Sequence, residues 1–161
     1  MTELIAALIG GALGLVGAFF GVWLANKYES TKQEKALRRS ITLDLYSEYH
    51  SAEILRARIN VNRLLEARGQ KVDPLPMFEL REKISQSEWY DLGLVMTFLE
   101  KLSVYLVTDY IDRDLTRQLL GEEFCYWWDS YVERLINVSK VEDKSWAVMM
   151  KDAANRLTDR E

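Results

Sequence analysis

The chain is poor in the residues that anchor most catalytic and metal chemistry. It has one cysteine, one histidine and two prolines in 161 residues. With Cys125 alone, no disulfide can close within the chain, and a reduced compartment fits. Set among the aromatics of EEFCYWWDSY, Cys125 reads as a small buried hydrophobe. With His50 alone, histidine-based metal sites and catalytic triads lack the partners they need. His50 reads as a surface or packed helix residue rather than a lone general base. No arginine lies four to six residues before it, so the Arg-x(4-6)-His arrangement of helical ribonucleases is missing. No glycine-rich phosphate loop is present, because the glycines gather near the N-terminus. The formal net charge of -4 argues against a nucleic-acid surface over the whole chain, so direct DNA binding is not expected, although a local basic pocket stays open. Strand-like alternation is absent and proline is scarce, which points to an all-α fold.

Charge is also missing from Leu4 to Ala25, a run of 22 residues. As a helix it extends roughly 33 Å, enough for a hydrocarbon core of about 30 Å, and lipid would hold it helical. A cleaved signal peptide wants a basic n-region, and here only Met1-Thr2-Glu3 precedes the run. A buried soluble helix is usually shorter and would not end in Trp23 followed at once by a basic stretch. A transmembrane helix over residues 1–26 is therefore expected. The following KYESTKQEKALRR holds Lys27, Lys32, Lys35, Arg38 and Arg39 against Glu29 and Glu34. The positive-inside rule then puts the N-terminus outside and the rest in the cytoplasm, which for a bacterium means a single pass through the inner membrane. Trp23 and Tyr28 fall at the headgroup level, and each basic residue adds about 1 kcal/mol of attraction to anionic lipid.

Small residues recur within that run. Ala6, Gly10, Gly14, Gly17, Gly21 and Ala25 step by 4, 4, 3, 4 and 4, which keeps them on one helix face, while Leu8, Leu13, Leu15, Phe19, Phe20 and Val22 lie mostly elsewhere. Such a glycine zipper lets a second backbone approach closely. With one span per chain, the partner helix comes from another molecule, most simply a copy in a symmetric homo-oligomer. A pathway lined by charge is excluded for this helix. A ring of such helices still permits a narrow apolar pore gated by wetting, and a closed dimer uses the glycines equally well.

The remainder reads as helices. Residues 27–68 form a long juxtamembrane helix with the stripe Leu37, Ile41, Leu45, Tyr49, Ala52, Leu55, Ile59 and Leu65, stopped by Gly69. Residues 69–161 complete a cytoplasmic antiparallel bundle with that helix. QKVDPLPMF is a loop, and MFELREKI is a short helix. Residues 87–110 form a core helix with Ser87 as N-cap and Leu92, Val95, Met96, Leu99, Leu102 and Leu106 inward. Glu100 and Lys101 in its middle oppose a second span, at about 3 kcal/mol each. Asp112 caps a helix whose Leu115, Leu119, Phe124, Trp127, Tyr131, Leu135 and Val138 repeat at helical spacing. A last helix over residues 145–157 aligns Trp146, Met149, Ala153 and Leu157.

No catalytic constellation, cofactor motif or metal-ligand set emerges, so the chain reads as a non-enzyme. Asp109, Asp112 and Asp114 are better explained as helix-end residues than as cation ligands, and Glu122 and Glu123 as a solvated edge. In FCYWWDSY, Phe124, Trp127 and Tyr131 share the apolar stripe, whereas Tyr126 and Trp128 fit it less well. These two are candidates for core or subunit contact, or for a pocket that stacks a base.

Around these residues the chain resembles a bacterial and phage family of unknown function, number 4760 in its series. The resemblance rests on Phe98, Leu99, Glu100, Asp112, Leu115, Gly121, Trp127 and Trp128 within residues 98–135, and it implies no activity. In layout the chain also looks like small single-span effectors of bacterial antiviral defence, which oligomerise in the inner membrane and depolarise the cell. That likeness implies an oligomeric, possibly pore-forming effector with a cytoplasmic sensing domain. Its partners would be the lipid bilayer, itself, and a cytoplasmic protein or small nucleotide signal. The alternative is a non-catalytic anchor or scaffold for a cytoplasmic partner.

Overall fold

The structure is a computed structural model that describes residues 2–71, 73–141 and 144–158, with residues 2–19 described as backbone alone. Every regular element among the described residues is helical: α1 (Thr2–Tyr49), α2 (Ala52–Ala67), α3 (Met77–Lys83), α4 (Gln86–Val107), α5 (Arg113–Trp127), a π-helical turn (Trp128–Val132), α6 (Glu133–Ser139) and α7 (Ser145–Thr158). The chain divides into two units, one up to Leu37 and one comprising Arg38–Glu161. The division falls inside the expected juxtamembrane helix rather than at residue 26. In the first unit every residue from Phe20 to Leu37 is exposed. In the second, α4 is the central element: α2 and α7 both pack on it, α5 packs on α7, and α3 touches α6.

The helix expected over residues 27–68 is broken at His50-Ser51. Ser51 turns to φ -60°, ψ 151° and caps α2, its hydroxyl accepting from the Ile54 amide at 3.4 Å. The His50 ring lies 2.9 Å from the Tyr46 carbonyl through Nδ1. The break re-phases the apolar stripe. Leu45 and Tyr49 are buried before it; Ile54, Ala57, Val61, Leu64 and Leu65 are buried after it, while Leu37, Leu55 and Ile59 are exposed. The single stripe read through both helices thus misplaced those three residues and Ala52, which is also exposed.

Gly69 ends α2 as expected. It sits at φ +66°, in the left-handed region that favours glycine, and the Gln70 amide donates back to the Leu65 carbonyl at 2.9 Å. Helix α4 begins one residue earlier than expected, with Ser85 rather than Ser87 as its cap. Ser85 accepts from the Glu88 amide at 3.3 Å, and the Ser85 amide donates to Glu88 Oε2 at 2.7 Å, closing a capping box. These contacts hold the Glu88 carboxyl below its usual range. The expected inward residues Leu92, Val95, Leu99, Leu102 and Leu106 are buried, together with Phe98; Met96 is half-buried. Lys101 reaches Glu48 at 2.6 Å. The burial in α7 is shifted from the expected face: Ala147, Met150, Ala153, Ala154 and Leu157 are buried, whereas Trp146 and Met149 are half-buried.

Asp112 is the junction between α1 and α5. Its side chain caps α5 by accepting from the Leu115 amide at 3.0 Å, and it also accepts from Arg39 Nε at 3.1 Å. Its own amide donates to Thr42 Oγ1 at 3.0 Å, and Thr42 in turn donates to the Arg38 carbonyl at 2.9 Å. Thr42 is completely buried, although no apolar periodicity marks it. Asp112→Ala is expected to destabilise the fold by about 1–2 kcal/mol through loss of the cap. Asp112→Asn, which keeps a capping oxygen, should lose less than half of that, because Arg39 is largely exposed and its pair is screened. Urea denaturation of the two variants checks the order.

Candidate functional site

Two regions carry the residues that the sequence marks. The first lies in the unit up to Leu37. Ala6, Gly10, Gly14 and Gly17 fall outside the residues whose side-chain surroundings are described. Gly21 and Ala25 are exposed, and a Cβ added at Gly21 would meet nothing within 4 Å. Phe20, Val22, Trp23, Leu24 and Tyr28 are large apolar side chains left open, with Tyr28 73% exposed. The Lys27 ammonium lies 5.3 Å from the Trp23 ring centre, and Phe20 stacks on Trp23 at 5.6 Å. Lys32 and Lys35 are exposed and Arg38 half-buried, while Arg39 binds Asp112 as above. Among the described residues no helix is long and apolar enough to cross a membrane. Residues 4–19 of the run from Leu4 to Ala25 are described as backbone alone.

The second region centres on FCYWWDSY. Trp128, which the sequence leaves between core or subunit contact and a pocket, is 6% exposed and part of the core. It opens the π-helical turn Trp128–Val132. The Glu133 amide bonds back to the Trp128 carbonyl, an i to i+5 closure that inserts one extra residue in the helical path. A regular helix separates neighbouring residues by about 100°. Trp127, Trp128, Tyr131, Val132, Leu135 and Ile136 are all buried. Tyr126 is exposed, as expected, but it is bonded. Its hydroxyl donates to Asn62 Oδ1 at 2.6 Å, and the Tyr131 hydroxyl donates to the same oxygen at 2.9 Å. Lys71 donates to Tyr126 Oη at 3.4 Å and lies over both tyrosine rings. The Tyr126 contact raises the Lys71 pKa. Arg134 donates to the Lys71 carbonyl. This cluster fastens the loop after α2 to the π turn.

Beside it, α2 and α5 flank an open cleft of about 530 Å³. Tyr49 lines it, with the Arg58 guanidinium 3.7 Å from the ring centre, a cation–π contact. Tyr49 also packs on Phe98 at 5.0 Å. Burial pushes the Tyr49 hydroxyl up to about 12, against the opposing pull of Arg58. Trp127 and Arg58 lie beside that hydroxyl, yet neither donates to it in hydrogen-bond geometry. Arg58 Nε and Glu123 Oε2 are likewise buried without a partner, and the closest approach of the two side chains is 3.9 Å. Unmade bonds of this kind cost about 1–3 kcal/mol each. Sequence reading placed Glu123 on a solvated edge and gave Arg58 no role. The usable signal was a lone arginine on the buried side of α2, nine residues after an aromatic.

A larger cleft of about 1150 Å³ at the start of α4 is lined by Arg56, Arg63 and Arg68 together with Glu88 and Asp91. Its carboxylates are engaged, Asp91 with Asn60 at 2.8 Å and Glu88 in the capping box. His50 is exposed, and its ring lies 4.3 Å from that of Tyr46. Asp109 pairs with Arg156 at 3.5 Å and Asp112 caps α5, so the acidic cluster is distributed over helix ends. Among the described residues no group of His, Cys, Asp or Glu is placed to hold a metal ion.

No family model, no curated protein and no solved structure matches the chain.

The raised Tyr49 value has a pH consequence. The folded pKa lies above the unfolded value of 10.0, so its contribution is fully present below pH 10 and is lost as pH rises toward about 12. Tyr49→Phe should therefore flatten part of the fall in stability over that window while leaving neutral-pH stability within about 1 kcal/mol. Chemical denaturation at stepped alkaline pH measures it; an unchanged slope in the variant would contradict the assignment.

Proposed function

We propose that the chain is a single-pass protein of a bacterial inner membrane, N-terminus outside, that self-associates and acts as a non-catalytic membrane effector under control of its cytoplasmic helical unit. The observation that carries the reading is the uncharged run Leu4 to Ala25, with its small residues in register, followed by a basic segment. Two features support it. The side chains from Phe20 to Leu37 are all exposed in the single chain, and large apolar groups among them call for lipid or a second copy as cover. Trp23 and Lys27 form the aromatic-cation pair suited to a headgroup layer. The likeness of residues 98–135 to family 4760, and of the layout to defence effectors, belongs to this proposal and extends it to depolarisation, through a pore, in antiviral defence. A scaffold that holds a cytoplasmic protein at the membrane is the second reading. It is favoured by the separate compactness of Arg38–Glu161.

The full-length protein in mild detergent is expected to run as a discrete oligomer on native mass measurement. A variant with Gly10, Gly14 and Gly17 changed to leucine should fall to monomer while staying in the membrane pellet after carbonate washing. Loss of dye leakage from cells in that variant supports the effector. Leakage absent from the parent, with partner recruitment kept when residues 4–25 are exchanged for another anchor, supports the scaffold. A monomer in both proteins removes self-association through the glycine face.

A further inference from the structure

The cleft between α2 and α5 carries features that anchoring and self-association do not use. Its volume of about 530 Å³ lies within the usual size of small-molecule sites. Its lining mixes flat and apolar groups (the Arg58 guanidinium stacked on Tyr49, the rings of Tyr126 and Trp127, and the exposed Leu55 and Ile59) with the polar side chains of Asn62, Arg63, Glu122 and Glu123. Tyr49 is 2% exposed, and its hydroxyl has no partner. Arg58 Nε is an unused donor and Glu123 Oε2 an unused acceptor. A guanidinium and a carboxylate in reach of each other normally close into paired hydrogen bonds. Here they stand 3.9 Å apart and do not. The π-helical turn begins directly after Trp127, and single π turns recur at functional sites.

An inserted group satisfies both side chains if it accepts from Arg58 and donates to Glu123. Adjacent acceptor and donor on one flat edge is the pattern of a nucleobase or a similar heterocyclic amide or amidine. We propose that this cleft binds a small planar heterocycle, with Arg58 and Glu123 reading its donor–acceptor edge and Tyr126, Leu55 and Ile59 covering its faces. The sealed atoms are reached by side-chain rotation, since Arg58 and Glu123 are 18% and 38% exposed. The inference deepens the reading of the cytoplasmic unit as a sensor, and rests on that reading only for what binding triggers.

Free bases, nucleosides and nucleotides share the edge chemistry, so the probes are adenine and cytosine, their nucleosides and their monophosphates. They are titrated by calorimetry into the full-length protein in mild detergent. At least one base or nucleoside is expected to bind saturably. Glu123→Leu and Arg58→Met, which remove the acceptor and the donor, should each weaken that binding at least about tenfold. Dimethylation of the exocyclic amine on the probe, which removes both of its N–H donors, should do the same. Comparing base, nucleoside and monophosphate identifies the source, a gain with phosphate marking a nucleotide. Absence of saturable binding by any probe to protein with a native melt overturns the proposal. So does binding that needs the phosphate and is absent from base and nucleoside, or binding that both variants retain. Native mass, recorded on the same samples, separates this outcome from failure of the self-association reading, because neither variant touches the glycine face.

Discussion

The stretch around the π-helical turn Trp128–Val132 joins the interior of the larger unit to a polar cluster at its surface. Two adjacent helical residues point about 100° apart, so burying both Trp127 and Trp128 takes a wide apolar face. Both are buried, and Tyr131, Val132, Leu135 and Ile136 follow in a register that still meets the core. The same turn brings Tyr131 beside Tyr126, so that both hydroxyls converge on Asn62 of α2. Through Lys71 and Arg134 it also fixes the loop that returns the chain toward α3. The cleft wall at Trp127 owes its position to this turn as well.

A second junction complements the first. Asp112 joins the C-terminal part of α1 to the start of α5 using both its carboxylate and its amide. The contributions are individually small, since an exposed arginine partner is screened. Their value lies in satisfying a helix start and a buried threonine hydroxyl together, leaving no polar group of that junction stranded. The contrast with the cleft is instructive. Among the described residues the buried polar atoms without a partner are the Tyr49 hydroxyl, Arg58 Nε and Glu123 Oε2 around the cleft, together with Gln70 Nε2 after α2.

The all-helical class was legible because apolar spacing and the lack of strand patterns are local properties. Helix ends with strong chemistry were legible too, as Gly69 and Asp112 show. The break at Ser51 was not, because serine is a weak stop and the stripe looked continuous through it; tertiary packing of Ile54 and Ala57 decided the phase. Ser87 and Ser85 are both sensible caps, and only the reach of Glu88 chooses between them. A π turn has no sequence cue of its own, so the sequence left Trp128 between core or subunit contact and a pocket. The cleft was half legible: Tyr126 stood out as an aromatic off the stripe, but Arg58 and Glu123 look like any charged pair until α2 and α5 are brought together. The apolar run Leu4 to Ala25 remains a property of the sequence, interpreted through its charge pattern and small-residue register.

The distribution of tryptophan has an optical consequence. Trp127 and Trp128 are sealed in the core of the larger unit, Trp89 and Trp146 are half-covered, and Trp23 stands 54% exposed in the other unit. Emission from the buried pair therefore comes from a rigid, apolar surrounding, whereas that of Trp23 follows whatever medium bathes the first helix. The chain carries two intrinsic chromophores for two different questions. A shift of the blue component reports the integrity of the π turn, and quenching of the Trp23 component by water-borne or lipid-borne agents reports where the apolar run resides.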